Sequence, residues 1–111
     1  MQFMGSLYVG ESISSIEEYK IVEKVHKGKS VPNLYLIVLS VNPDNMLDII
    51  LEKEVLQKNY PKDTLKIVGI AIGKKEALSL VQKIILESLA ETKSADVREM
   101  LKQKWEGQAC R

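Results

Sequence analysis

The chain has 111 residues, 45% of them hydrophobic and 28% charged, and a formal net charge of +1. That length suits one domain around a single core, and that composition excludes wholesale disorder. The balanced charge argues against a nucleic-acid partner, which calls for a basic excess to displace counterions from phosphates. No run of about 18 apolar residues offers a membrane span.

The first residues, MQFMGSLYVGES, lack the basic and apolar regions of a secretory signal, so a cytoplasmic location is expected. Leu7 to Val9 reads as a first strand, closed by Gly10 and Glu11. Ser15 followed by Glu18 fits a capping box. Ile16, Tyr19, Val22 and Val25 recur every third residue, with Ile21 beside them, as the apolar face of a first helix. Gly28 suits the position after the helix end, and Pro32 blocks continuation. His26, the only histidine, falls in the last turn with Lys27 close by. Positive groups there complement the helix dipole, a better account of His26 than acid–base catalysis.

Leu34 to Leu39 are all apolar, as in a parallel strand covered on both faces. Asn42 then suits a helix cap, Pro43 the first helical position and Asp44 the positive end of the dipole. A second helix is therefore expected to run on toward the turn Tyr60-Pro61-Lys62-Asp63. Asp44, Asp48 and Glu52, spaced by four, would line its solvated face.

Leu65 to Ile72 reads as a third strand. Ala77, Leu78, Leu80, Val81, Ile84, Ile85 and Leu89 then form the apolar arc of a third helix. Between them, Gly69, Gly73 and Lys74 suggest a phosphate-binding loop, but the spacing is one residue short and Lys75 stands where Ser or Thr would bind magnesium. Gly69 falls inside the strand, where it marks a close approach, and Gly73 is the bend into the helix. Lys74 and Lys75 occupy the first helical turn, where the dipole disfavours positive charge by a few tenths of a kcal/mol each. A last short helix carries Val97, Met100, Leu101 and Trp105 on one face, before a tail holding the single cysteine, Cys110. One cysteine makes no internal disulfide and no zinc spacing, so neither a metal nor a cofactor is expected.

The order β-α-β-α-β-α implies a small α/β domain over residues 1–91 with a three-stranded, mainly parallel sheet. Strand order is not readable from it: a central first strand would put the two crossover helices on opposite faces, whereas its shortness and lower apolarity favour the edge. Residues 92–105 would form a terminal helix packed on that domain or on a partner, and 106–111 a flexible tail. Ligands of parallel sheets bind beyond the strands' carboxyl ends. There Glu11, Ser40, Asn42, Asp44 and Lys74 are the candidate contacts for a small anion, each loop preceding a helix N-terminus. Leu86 lies on the polar side of the third helix, and with Met100, Leu101 and Trp105 it marks a candidate interface, so a homodimer or a protein partner is expected.

LYVGESI, VPNLYLIVLSVNPDNMLDII and VGIAIGKKEALSLVQKII together resemble small uncharacterised α/β proteins encoded on conjugative transposons of gut Gram-positive bacteria. The resemblance spans roughly residues 7 to 90 and implies an intracellular accessory role in maintaining or regulating a mobile element. It brings no catalytic residues. With no catalytic constellation in the sequence, the expected function is a non-enzymatic interaction or regulatory module that self-associates. The alternative is a binder of small anionic ligands at the carboxyl edge.

Overall fold

The computed structural model of the chain describes residues 1–39, 47–57, 65–92 and 97–107. Its elements are β1 (Gln2–Val9), α1 (Ser15–His26), β2 (Leu34–Leu39), β3 (Leu47–Leu51), α2 (Glu52–Gln57), β4 (Lys66–Ile72), α3 (Lys74–Thr92) and α4 (Val97–Glu106). The strands form one four-stranded sheet in the order β1-β4-β2-β3. β1 and β4 run parallel, whereas β2 is antiparallel to both β4 and β3.

This corrects the expectation of three mainly parallel strands. The sheet gains a member because Leu47, Ile49, Ile50 and Leu51 pair with β2 rather than opening a helix, so that among the described residues of this region the helix is confined to Glu52–Gln57. Local caps favoured a helix, but two β-branched residues in an apolar run fit the pleated surface beside β2, and tertiary pairing overrides local preference. The apolar run of β2 does report burial on both faces, with Leu34, Leu36, Ile37 and Val38 inaccessible or nearly so. Such a run records a central strand between two layers, and it carries no information about strand direction. β1 lies at the edge, the position its lower apolarity favours.

One face of the sheet presents Phe3, Leu34, Leu36, Val38, Ile67 and Ile70 to Ile21, Val22 and Val25 of α1 and to Val55 of α2. The other presents Met4, Ile37, Val68 and Ala71 to Ala77, Leu80 and Ile84 of α3 and to Val97, Met100 and Leu101 of α4. Ile67 and Ile70 share a face although three positions separate them, because the pairing slips at Val68: Ile37 faces Gly69, while the next residue, Val38, faces Ile67. A bulge of this kind re-aims the side chains that follow it.

α1 starts one residue earlier in its cap than expected. Ser14, not Ser15, accepts the Glu17 N–H at 3.2 Å, and its own N–H donates to Glu17 Oε1 at 3.4 Å. Helical phase decides which side is covered: at 100° per residue Ile21, Val22 and Val25 share one arc, which faces the sheet, while the every-third spacing carries Ile16 and Tyr19 out of it into solvent. Pro32 and Asn33 sit inside a turn closed by Leu34 N–H to Val31 O, and Asn33 takes the left-handed φ of 57° that asparagine tolerates better than most residues. Glu52, expected on a solvated acidic face, is fully buried and accepts the Val31 N–H at 2.8 Å. Asp48 lies on β3 opposite Val38.

α4 is fixed against α3 and β1 by a polar group as well as by its apolar face. Lys104 bridges to Glu87 and lies 3.7 Å from Glu91, and its ammonium stands 5.6 Å from the centroid of the Tyr8 ring. Burial pushes the Tyr8 hydroxyl up to about 12, with Glu87 adding to the effect. Burial alone would raise Glu87 too, but Lys104, with the Tyr8 hydroxyl beside it, holds that carboxyl below its ordinary value. A carboxylate depressed in the fold stabilises above its unfolded pKa, and that contribution is lost as pH falls through the folded value. Glu87→Gln is therefore expected to cost about 1 kcal/mol near neutrality, a modest figure because both partners are about one-third exposed. The difference from the native chain should shrink toward zero in urea titrations run progressively below pH 4.5. A cost independent of pH would assign the effect to packing instead.

Candidate functional site

Because β1 and β4 are parallel, both deliver their carboxyl ends to the same edge, Val9 beside Ile70, and the Gly10 N–H continues the ladder to Ile70 O at 2.9 Å. The turn leading to α1 thus lies against the turn leading to α3. Gly73 makes that second turn with φ +87°, a value L side chains rarely adopt, while its N–H donates to Asn33 O at 2.8 Å. Its carbonyl accepts the first helical bond of α3, from Ala77 at 3.1 Å.

Glu76 ties the two turns together. Its Oε1 accepts the Ile72 N–H at 3.0 Å, and Ser12 donates to the same carboxylate from hydroxyl and backbone. Burial would raise this carboxyl, but those donors hold it below the ordinary carboxylate range. Gly10 makes room for it, since a Cβ on Gly10 would lie 1.8 Å from Glu76 Oε1. Outside this clamp an open cleft of about 470 Å³ runs between the β1–α1 turn and the first turns of α3. Lys75, Ser79 and Lys83, spaced by four along one side of α3, line it with Lys74 and Glu11. Lys83 meets Glu11 across the cleft at 3.0 Å, an exposed pair that adds little to stability.

The cleft brings together Glu11 and Lys74 of the expected contacts. Ser40, Asn42 and Asp44 lie outside the described residues. β2 itself runs the other way from β1 and β4: Leu34 pairs with Ile72 at the cleft edge, and Val38 with Ile67 at the opposite one. Lys83, Ser79 and Glu76 were missed as site residues. For Ser79 and Lys83 the signal was the spacing by four from Lys75, hidden because the apolar arc of the same helix dominates its pattern; Glu76 carried none. His26 stands away from the cleft, its ring edge-on to Phe3 with centroids 5.0 Å apart, and Phe3 pairs with Ile67 at the far end of β4.

Of the expected interface residues, Met100 and Leu101 are 3% and 0% exposed and belong to the core of their own chain. Trp105 is half-buried against that core, with the Lys66 ammonium 5.7 Å from its ring centroid. Leu86 is 64% exposed, and Leu78 and Leu89, expected in the apolar arc, are 49% and 43% exposed. Among the described residues no three histidine, cysteine or acidic side chains gather as metal ligands, and no helix is long and apolar enough to cross a membrane. Set against family models, curated proteins and solved structures, the chain finds no match in any of the three.

Proposed function

We propose that the protein is a non-catalytic binding module that seats a small anion of the phosphate class in the cleft at the N-terminus of α3. The observation that carries this reading is a long helix that starts among lysines and, among the described residues, without a side-chain cap. Gly73 has no side chain to offer, and the carboxylate nearest the helix start, Glu76, is turned back onto Ile72 and Ser12. The first N–H groups of a helix have no intrahelical acceptor and carry a partial positive charge. Lys74 and Lys75 add to that charge, and among the described residues neither pairs with a carboxylate. An anion in the cleft relieves both costs at once.

Thermal unfolding in the presence of inorganic phosphate, pyrophosphate and nucleotides tests the proposal. A ligand at about 100 times its Kd adds roughly 2.7 kcal/mol to stability. The stabilisation is expected to fall in the double variant Lys74→Gln, Lys75→Gln, whose fold is unaffected because both side chains are exposed. No shift with any of these anions, or equal shifts in both proteins, overturns the reading.

A second reading, self-association, is favoured by the exposed leucines of α3. By the 100° step of a helix, Leu78, Ile85 and Leu89 fall within about 40° of one another, on the flank away from α4, with Leu86 further round. Sedimentation across a concentration series is expected to show a dimer that Leu86→Lys weakens. A strict monomer at high concentration rules this reading out and leaves the anion site standing.

A further inference from the structure

We draw no further inference here: the strongest candidate, the fully buried Glu52 side chain at the start of α2 with its Oε2 unpartnered, does not line the neighbouring cleft between the 30–33 turn and β3 and so points to no ligand.

Discussion

Leu101→Ala is expected to destabilise the protein by about 3–5 kcal/mol, the upper part of the range for emptying a leucine site in a rigid core. Leu101 is fully buried, and its surroundings include Met4, Val68 and Ile84, themselves almost inaccessible and held by the sheet and by α3. Those neighbours cannot collapse into the space without disturbing strand pairing, so most of the cavity would persist. α4 has only 10 residues and three fully covered side chains, Val97, Met100 and Leu101. A helix that short is marginal in water by itself, so its structure depends on docking. Losing one of three anchors should therefore also loosen Lys104 from Glu87. Urea unfolding measures the cost, with Lys102→Ala on the same helix as the control, expected within about 0.5 kcal/mol because Lys102 is exposed. The cost should not vary with protein concentration, since Leu101 packs within its own chain. A loss below about 1 kcal/mol, or one that grows on dilution, would place α4 elsewhere.

The parts of this fold that were legible in the sequence are those written in a single element. Burial of β2, the strand character of Lys66–Ile72, the bend at Gly73 and the apolar side of α4 all follow from runs and periods that one element carries alone. Pairing was not legible in the same way. Leu47–Leu51 becomes a strand because β2 offers it an open edge, a fact belonging to two segments at once. Strand direction was hidden for a similar reason: a covered strand is apolar on both faces whichever way it runs. The site divides along the same line. Glu11 and Lys74 could be placed from the rule that parallel strands end together, which holds for β1 and β4. Ser40, Asn42 and Asp44 lie outside the described residues; their placement rests on extending that rule to β2, whose direction is the opposite one. Glu76 reads in sequence as an ordinary first-turn acid, and its role as a clamp appears only when Gly10 and Ser12 are brought beside it.

Gly69→Val is expected to cost about 3 kcal/mol, at the upper end of what overpacking a core exacts. Gly69 is a central position of β4, between β1 and β2, and a Cβ there would meet Tyr8 O at 3.1 Å and both Ile37 Cδ1 and Leu80 Cδ2 at 3.4 Å. The last two are ordinary contacts. The first is not, because Tyr8 O belongs to the backbone of a paired strand and cannot swing aside as a side chain would. Alanine asks for a shift of a few tenths of an ångström, so Gly69→Ala is expected to stay within about 1 kcal/mol of the native chain. Valine adds two further carbons in the same space. Its preference for strands, worth up to about 1 kcal/mol, opposes the clash but is too small to cancel it. A double-mutant cycle separates the two obstacles. Leu80→Ala removes the side-chain neighbour, so the pair Gly69→Val, Leu80→Ala should be more stable than the sum of the single losses predicts. Recovery should be partial, because the Tyr8 carbonyl is untouched, and faster hydrogen exchange in β1 should mark where the remaining strain is released. A Gly69→Val protein as stable as the native one would mean that β1 and β4 do not approach as closely as Tyr8 and Gly69 do here.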